Sequence, residues 1–374
     1  MNTLKNALVI GGGIAGMATA IELRKRGVAV DLVEIDKDWR VYGAGITING
    51  AALRAFKTLG VIEQIVAEGW CSDGCDICAP NGALLAKLPT PRIAGSDIPG
   101  SGGILRPVLA RILSKATLAS GTAVRLGVTF TAIDLRDNAA EVSFTDGSRA
   151  RYDLVVGADG LFSKVRTAVF PQAPTPKYTG QGCWRAVVPR LPDIAGASMF
   201  LGKSTKAGVN PVSKDEMYLF CLDHHRTNER IPEDQWAGIL TGLLAEFSGP
   251  VGQLRDGLCA QSRILYRPLE SLLLAAPWYR GRIVLAGDAA HATTPHLASG
   301  AAISVEDAIV LALELERAAS VEAALTAYVA RRFERCKMVV QNSLRLGEIE
   351  ISGGSKDEHS QLMRDSMIAL LAPI

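Results

Sequence analysis

The sequence lacks an excess of charge of either sign, a long apolar run and a dense set of cysteines. Its 374 residues include 40 lysines and arginines against 38 aspartates and glutamates, which gives a formal net charge of +2. Without a sustained basic run, nucleic acid is not an expected partner. No stretch reaches the roughly 20 apolar residues that a membrane span needs. We therefore expect a globular cytoplasmic protein without a membrane span.

Seven cysteines are too few to serve as a disulfide framework in a chain of this length. Cys71, Cys75 and Cys78 lie close together and could suggest zinc. Their segment has the pattern of a strand, however, and a separation of three residues places Cys75 and Cys78 on opposite faces. A fourth ligand is also missing nearby. Free, buried thiols are the favoured interpretation, and we expect no metal site.

The N-terminal segment contains a glycine-rich turn between a strand and a helix. Apolar residues 7–10 precede Gly11, Gly13 and Gly16 in G-x-G-x-x-G spacing, and residues 14–26 have helical character. Gly11 permits a tight turn, Gly13 lets a pyrophosphate approach the backbone, and Gly16 lets the helix pack closely on the strand. The N-terminus of the helix would bind phosphates through its free N–H groups. This context predicts a dinucleotide site.

Three strands end at glycine-rich turns, and each presents an acid. Glu34 ends the second strand, eighteen residues after Gly16, where a carboxylate accepts hydrogen bonds from an adenosine ribose. Asp159 lies in GADGLFSKVR and Asp288 in RIVLAGDAAH, each after an apolar strand. Ligands of open parallel sheets bind at the carboxyl ends of the strands, so three acids there suit one hydroxyl-rich dinucleotide. A glutamate at position 34 would repel a 2′-phosphate, which favours FAD or NAD over NADP.

The three motifs stand in the order GGGIAG with Glu34, GADGLFSKVR and GDAAH…P…G…EDA. In this order they resemble the single-component FAD-dependent aromatic hydroxylases of the p-hydroxybenzoate hydroxylase type, and the salicylate and urate hydroxylase-like members are closer in length. The resemblance covers nearly the whole chain. It implies a monooxygenase that hydroxylates an electron-rich aromatic or heteroaromatic small molecule with NAD(P)H and O2, by way of a C4a-hydroperoxyflavin.

The same resemblance assigns the contacts to FAD. The glycine turn and Glu34 would hold the adenosine end, and Arg106 would contact the ribityl-pyrophosphate region. Asp159 belongs to a motif associated with both FAD and NAD(P)H, whereas Asp288 would hydrogen-bond the ribitol. The residues from Pro295 to Ala301 would run beside the isoalloxazine ring. The predicted cofactor-binding set is Gly11, Gly13, Ala15, Gly16, Glu34, Ile35, Gly45, Arg106, Val128, Asp159, Asp288, Pro295, Ser299, Gly300 and Ala301.

The loop beside the expected ring position departs from the family pattern. Where many members have Gly-Gln-Gly after the proline, this chain has Ala298, Ser299 and Gly300. Backbone N–H groups can still point at the flavin O2, and the dipole of the following helix can still stabilise negative charge on a reduced flavin. We expect a less flexible loop at this position.

Two histidines, His291 and His296, lie in the same stretch. Either could carry a proton near the flavin, since histidine titrates near neutral pH. The alternative is a structural role in which their rings bond to backbone carbonyls. Because the GD-AAH run occurs in members with varied reactions, the structural role is favoured.

The stretch KAGVNPVSKDEMYLF resembles the part of urate-hydroxylase-like members in which an arginine and a tyrosine, twelve residues apart, contact the substrate. The matching residues here are Lys206 and Tyr218. Lysine lacks the planar fork of arginine, so the resemblance does not imply the same substrate. Arg185, in CWRAVV, is a further candidate, and these three form the predicted catalytic set. The alternative is a solvated lysine and a half-buried strand tyrosine.

We predict an α/β fold with a Rossmann-like FAD-binding domain, an inserted β-rich substrate domain and a C-terminal helical region. The chain is long for one hydrophobic core, and β-like segments separate the nucleotide motifs. A monomer or a homodimer is expected. The expected limits are 1–72, 100–177 and 268–330 for the FAD-binding domain, 73–99 and 178–267 for the substrate domain, and 331–374 for the helical segment.

Three other functions stay open. A flavin-dependent reductase or halogenase could have the same fold, although the WxWxIP stretch of such halogenases is absent from the sequence. A nucleotide-binding regulatory module would bind the dinucleotide without turnover. Consumption of NAD(P)H that an aromatic ligand stimulates would distinguish an enzyme from such a module.

Overall fold

The structure, a computed structural model, describes residues 4–40, 43–90, 92, 97–203, 205–224, 228 and 230–374. Its helices are α1 (Ile14–Lys25), α2 (Gly50–Leu59), α3 (Ile62–Glu68), α4 (Arg106–Ala119), α5 (Lys164–Val169), α6 (Trp236–Leu243), α7 (Gly249–Asp256), α8 (Asp288–His291), α9 (Gly300–Arg317), α10 (Val321–Ser352) and α11 (Lys356–Leu371). Its strands are β1 (Asn6–Ile10), β2 (Ala29–Glu34), β3 (Gly45–Asn49), β4 (Trp70–Ser72), β5 (Cys75–Cys78), β6 (Leu84–Leu88), β7 (Ser101–Leu105), β8 (Ala123–Leu126), β9 (Phe130–Arg136), β10 (Ala139–Phe144), β11 (Arg149–Tyr152), β12 (Leu154–Gly157), β13 (Lys177–Pro189), β14 (Ala197–Leu201), β15 (Lys206–Pro211), β16 (Glu216–His224), β17 (Ile264–Ser271), β18 (Tyr279–Arg280) and β19 (Ile283–Leu285).

The nucleotide motifs belong to a six-stranded sheet in the order β18-β19-β12-β1-β2-β8. All neighbouring strands are parallel except β18, which is antiparallel to β19. The side chains of Ala7–Ile10 in β1 are almost completely buried, as expected for a central strand covered on both faces. Because β1, β2, β12 and β19 run in the same direction, their carboxyl ends meet at one edge. The turns that carry Gly11, Glu34, Asp159 and Asp288 lie at that edge.

A seven-stranded sheet has the order β17-β13-β16-β15-β14-β5-β6. Alternate residues of its strands face opposite sides, as the pleat requires. One face is closed by a core in which Trp184 and Leu219 pack with Leu240 and Phe247 of the α6–α7 region. The other face carries Arg185 and the positions in register with it. The chain thus presents one sheet face that its own helices α6 and α7 do not cover.

The predicted α/β fold with a β-rich part and C-terminal helices is confirmed. Strands β10 and β11 pair antiparallel and form a hairpin that turns at Asp146-Gly147. The domain limits stay a prediction. One limit, between residues 330 and 331, falls inside the continuous helix α10, so no helix ends there.

The final residues, which lie in the predicted C-terminal helical segment, form α11. Its C-terminal carbonyls accept hydrogen bonds from Arg54 and Arg335, which fasten it to α2 and α10. Within the described ranges, no helix combines the length and the apolar composition that crossing a membrane requires.

All seven cysteines are free in the structure. Cys78 is buried, whereas Cys71 and Cys75 are half-buried rather than fully buried as expected. Burial raises the pKa of the Cys71 and Cys75 thiols to about 11. Both thiols are therefore protonated near neutral pH and poor ligands for a metal ion.

Candidate active site

Two glycines of the N-terminal turn are required by close backbone contacts. Gly11 has a φ of +109°, and a Cβ there would lie 2.4 Å from the carbonyl oxygen of Ala158. A Cβ on Gly16 would lie 1.9 Å from the carbonyl oxygen of Gly11. Gly13 differs, because no protein atom lies within 4 Å of the Cβ position. The open side of Gly13 therefore lies beside the N-terminus of α1, where no side chain caps the helix.

The three sequence motifs meet around the N-terminus of α1. A Cβ on Gly11 would lie 2.9 Å from the Cα atom of Asp159. A Cβ on Gly287, which has a φ of +61°, would lie 2.7 Å from the Cβ atom of Ala15. The turns after β1, β12 and β19 are thus in direct contact, and residues from distant parts of the chain line one cleft.

Glu34 folds back onto the glycine turn. Its carboxylate accepts hydrogen bonds from the N–H groups of Gly12 at 2.6 Å and Asp36 at 2.8 Å. Its carbonyl oxygen accepts one from the N–H of Val128 at 3.1 Å, and the neighbouring Ile35 is 65% exposed. Glu34, Ile35 and Val128 are therefore adjacent, although their contact with an adenosine stays a prediction.

Asp159 serves its own turn. One carboxylate oxygen accepts the hydroxyl of Ser163, and the other accepts the N–H groups of Lys164 at 2.8 Å and Val165 at 3.1 Å. The side chain therefore caps the start of α5 and satisfies helix N–H groups that would otherwise lack partners. Its expected contact with FAD or NAD(P)H stays a prediction.

Asp288 and Arg106 carry opposite charges in the cleft. Asp288 is exposed to solvent, yet protein surrounds it closely enough that burial raises the pKa of its carboxyl group. Burial, together with repulsion from Arg185, lowers the pKa of Arg106. The Arg106 guanidinium forms no hydrogen bond or ion pair with any described residue, and its Cδ atom packs over Gly43.

His291 is a buried structural residue. Its Nε2 atom lies 2.5 Å from Oδ2 of Asp307, which also accepts the N–H of Gly287 at 2.9 Å. The other carboxylate oxygen of Asp307 accepts Nε of Arg332 at 2.8 Å. The expected structural role is therefore supported, but the expected partner was wrong. A buried imidazole forms a stronger hydrogen bond with a charged carboxylate than with a neutral backbone carbonyl.

The ligand atoms of His291, Asp307 and Cys336 lie within 4.8 Å of one another, a spacing that could hold a metal ion. Arg332 donates to the Asp307 carboxylate at 2.8 Å and lies 3.5 Å from the Cys336 sulfur. A divalent cation would thus have to share the cluster with a buried guanidinium. This repulsion argues against a metal at that position.

The loop after His291 is anchored from β3. Pro295–Leu297 form a short 3-10 helix, and Ala298 has a left-handed φ of +47°. The Asn49 side chain donates to the Ser299 hydroxyl at 2.8 Å. This bond joins the loop to α2, which Asn49 also caps.

Tyr218 and Arg185 share the open face of the seven-stranded sheet. In the register, Arg185 pairs with Phe220, and Val187 pairs with Tyr218. The Tyr218 ring packs against Gly45, and its hydroxyl lies 3.0 Å from the Thr47 hydroxyl. Burial raises the pKa of Tyr218, which keeps the phenol protonated.

Arg185 has no bonded counter-ion. None of the described residues forms a hydrogen bond or an ion pair with its half-buried guanidinium. Its charge nevertheless influences the pKa values of Arg106 and Tyr218, so the three groups lie near one another. The structure therefore brings the cofactor-side Arg106 and two of the predicted catalytic residues together.

Lys206 is placed differently from the expectation. It pairs with Leu222 in the register, four positions from the pair of Asn210 and Tyr218, which is about 13 Å along the strand. Its ammonium donates a short hydrogen bond to Glu350 of α10. The structure therefore separates Lys206 from Tyr218, although both lie on the same sheet face.

Sequence reasoning missed several residues of the site. Phe220 faces the same side as Arg185 and could have been found from the alternation along β16, which places residues 218, 220 and 222 together. Thr47 and Asn210 bond to each other at 3.0 Å beneath the Tyr218 hydroxyl. Glu350 is distant in sequence from every partner, and no local pattern identifies these last three.

The family described as "FAD binding domain" matches residues 5–343. The chain belongs to this family of FAD-dependent monooxygenases, as the sequence resemblance predicted.

Several known proteins are similar to the chain over most of its length. It is 36% identical over 313 residues to the 2-heptyl-3-hydroxy-4(1H)-quinolone synthase of Pseudomonas aeruginosa, which covers 82% of this chain and 79% of that protein. It is 33% identical over 368 residues to the aurachin C monooxygenase/isomerase of Stigmatella aurantiaca, with coverages of 93% and 90%. The crystal structure of Klebsiella pneumoniae HpxO with FAD and uric acid matches with a TM-score of 0.82 at 26% identity, covering 98% of this chain and 92% of that chain.

The cleft suits FAD. Gly13 offers backbone without a side chain at the uncapped start of α1, which is the arrangement that binds a pyrophosphate. Arg106, which has no ion-pair partner within the described part of the chain, offers a guanidinium for the same group, and Asp288 offers an exposed carboxylate for hydroxyl groups. The residue types and their exposure therefore match a dinucleotide that carries two phosphates and a sugar chain.

Proposed function

We propose that the protein hydroxylates an electron-rich aromatic or heteroaromatic small molecule, with NAD(P)H as reductant and O2 as oxidant. The observation that supports this most directly is the proximity of the Arg106–Asp288 cleft to the open sheet face with Arg185 and Tyr218. Such a junction allows a planar substrate to lie between a cofactor and the sheet. The name of the quinolone synthase and the uric acid bound in the HpxO structure both refer to fused heteroaromatic rings.

In this proposal, Gly13, Arg106 and Asp288 bind the pyrophosphate and ribitol parts of FAD. When bound, FAD supplies the redox and oxygen chemistry of the reaction. Ala298, Ser299 and Gly300 would present backbone N–H groups and the start of α9 to the ring, which would favour negative charge there. The chain therefore contributes binding, orientation and electrostatic stabilisation.

Tyr218 and Arg185 would orient the substrate. A phenol that burial keeps protonated can donate a hydrogen bond to a ring oxygen. Arg185 would stabilise negative charge on the substrate, and a deprotonated ring hydroxyl makes the adjacent carbon more nucleophilic. Phe220, whose ring centroid lies 5.5 Å from that of Tyr218, offers an apolar surface for an aromatic ring. Together these groups would hold the reacting carbon in place and exclude water.

Several further points belong to the same proposal. NAD(P)H would bind transiently, because the sequence offers no second glycine-rich turn of similar quality. The enzyme would act in the cytoplasm as a monomer or a homodimer. A choice between NADH and NADPH is left to experiment.

The test uses the purified, FAD-loaded protein and a panel of hydroxylated benzoates, aminophenols, purines and quinolones. We expect at least one ligand to stimulate NAD(P)H oxidation and to yield a product that is one oxygen atom heavier by mass spectrometry. Stimulated oxidation without oxygen in any product would favour a reductase. Halide-dependent product would favour a halogenase, and FAD binding with no ligand-dependent turnover would favour a regulatory module.

A further inference from the structure

Glu350 collects four polar groups from four separate elements. Its carboxylate accepts hydrogen bonds from Lys206 of β15, from Nε2 of His359 at 3.0 Å and from the Gln181 amide at 3.3 Å. Nε2 of His296 lies 3.4 Å away. The Glu350 side chain is 15% exposed, and these partners lower the pKa of its carboxyl group. A carboxylate in this position is ionised at neutral pH.

The approach of α10 depends on a small residue. A Cβ on Gly347, three residues before Glu350, would lie 2.8 Å from Oε1 of Gln181 and 3.1 Å from Cε1 of His296. The helix can therefore press its backbone against these side chains. This contact fixes the Glu350 carboxylate beside the end of β15, where Lys206 begins the strand.

The pair of Lys206 and Glu350 changes the net charge of the open sheet face. Cys183, Arg185 and Lys206 face the same side, and the pKa of the Cys183 thiol responds to both cations. Lys206 is neutralised by Glu350, whereas Arg185 has no bonded counter-ion among the described residues. Burial lowers the pKa of His296, so its imidazole adds no charge at neutral pH.

We propose that Glu350 is a specificity-determining residue. By pairing with Lys206, it removes one cation from the substrate face. The site thereby prefers neutral or singly charged aromatic substrates over more anionic ones. This inference rests on the proposed binding of an aromatic substrate at that face. Glu350 acts through Lys206 and is a positioning residue. Without it, Lys206 would attract an anionic ligand as a partly buried, unpaired ammonium.

The experiment measures binding, not turnover. Dissociation constants of salicylate and its neutral analogue salicylamide are determined at neutral pH from the flavin fluorescence of FAD-loaded protein. The quantity compared is the Kd of salicylamide divided by the Kd of salicylate. We expect this ratio to rise about tenfold in Glu350→Gln. The ammonium of Lys206, no longer paired with Glu350, would attract the carboxylate of salicylate, whereas neutral salicylamide would gain nothing.

A double variant and a surface control keep the test decisive. Lys206→Met combined with Glu350→Gln leaves no unpaired charge, so its ratio should equal that of the parent. Glu348→Gln, on the same helix with a side chain that is 64% exposed, should also leave the ratio unchanged. FAD content and melting temperature establish that each variant is folded.

Several results would overturn the inference. An unchanged ratio in folded Glu350→Gln, or an equal change in Glu348→Gln, would show that Glu350 does not set the preference. A fall of the ratio in the double variant would show that Lys206 already acts as a free cation in the parent. If Glu350→Gln does not fold, the ratio in the double variant alone tests whether Glu350 neutralises Lys206. If neither ligand binds to any variant, the proposed aromatic site fails as well, whereas binding with an unchanged ratio leaves that site standing.

Discussion

Nε2 of His291 lies 2.5 Å from Oδ2 of Asp307, and both side chains are completely buried. The same carboxylate accepts the N–H of Gly287 and the guanidinium of Arg332. A buried ion pair thus fixes the turn from which Asp288 enters the cleft. The pair lies behind the site, in the packing between α8, α9 and α10.

Replacement of Asp307 by asparagine should lower the free energy of unfolding by about 3–5 kcal/mol, because it leaves the buried His291 without its carboxylate and leaves Glu306 as the remaining ion-pair partner of Arg332. Urea unfolding checks the value. An exposed control, Glu316→Gln, should change it by less than about 0.5 kcal/mol. A loss in Asp307→Asn no larger than in the control would contradict the ion-pair interpretation.

The stability that this pair provides should depend on pH in a defined direction. The pKa of Asp307 falls to about 2 from 3.8, so its contribution is full above pH 4 and is lost as the pH falls toward 2. The pKa of His291 is raised above 6.5, so its contribution is full below that pH and is lost as the pH rises through the folded-state pKa. The difference in unfolding free energy between parent and Asp307→Asn should shrink between pH 4 and pH 2. A constant difference would refute this assignment.

Asp288→Ala should weaken FAD binding about ten- to a hundredfold, since a hydrogen bond to a charged group contributes about 1.5–3 kcal/mol. Fluorescence titration of the apoprotein with FAD measures the change. Asp256→Ala, an exposed carboxylate on α7, provides the matched control. Equal FAD affinities in the parent and Asp288→Ala would remove the assigned role of this acid.

Two glycines of the same turn should respond differently to alanine. Gly13→Ala meets no protein atom, so the apoprotein should keep its stability while FAD affinity falls, because the new methyl group lies where the pyrophosphate would approach. Gly16→Ala would place a Cβ 1.9 Å from a backbone oxygen and should destabilise the apoprotein itself. Thermal unfolding without FAD, followed by FAD titration, separates the two effects. Similar apoprotein melting temperatures for both variants would argue against this distinction.

Ala298→Gly should raise the free energy of unfolding by up to about 1 kcal/mol. Ala298 has a left-handed backbone with a φ of +47°, which is unfavourable by about 1–2 kcal/mol for a residue with a Cβ. Glycine avoids this strain, but its greater freedom in the unfolded chain offsets part of the gain in stability. The change in unfolding free energy on Ala298→Gly can be compared with that on Trp39→Gly, since Trp39 is the other described non-glycine residue with positive φ. A loss of stability on Ala298→Gly would show that the alanine methyl contributes packing that outweighs the strain.

Tyr218→Phe should leave FAD content unchanged and lower substrate-stimulated turnover about ten- to a hundredfold, the effect of losing one hydrogen bond to a charged ring oxygen. A larger share of reducing equivalents should appear as hydrogen peroxide, because the substrate is less well oriented for attack. Oxygen consumption with and without catalase measures that share. Full coupling in Tyr218→Phe would make the tyrosine structural, with Thr47 as the hydrogen-bond partner of its hydroxyl.

The cofactor half of the protein could be derived from short sequence motifs. The role of Gly16 follows from the backbone of Gly11, five residues away, whereas the contact that requires Gly11 is with Ala158, far along the chain. The strand-turn-helix order places Glu34, Asp159 and Asp288 at one sheet edge. The expected partner of His291 was wrong, whereas the contact of Asp159 with FAD or NAD(P)H stays a prediction. Asp159 caps its own helix, and His291 bonds a carboxylate sixteen residues away, because buried polar groups bind whichever charge the packing brings near.

The sequence by itself determined the family and the parallel sheet with its glycine-rich turns, because local spacing and backbone freedom dictate those features. Only the tertiary structure decided which charges meet on the substrate side. Lys206 and Tyr218 stand twelve residues apart in the chain, yet Lys206 is paired with Glu350, 144 residues away. Arg185, near Tyr218, has no ion-pair partner among the residues that the structure describes. Strand register and the close packing of α10 at Gly347 produce this outcome, and both depend on contacts between segments that no local pattern encodes.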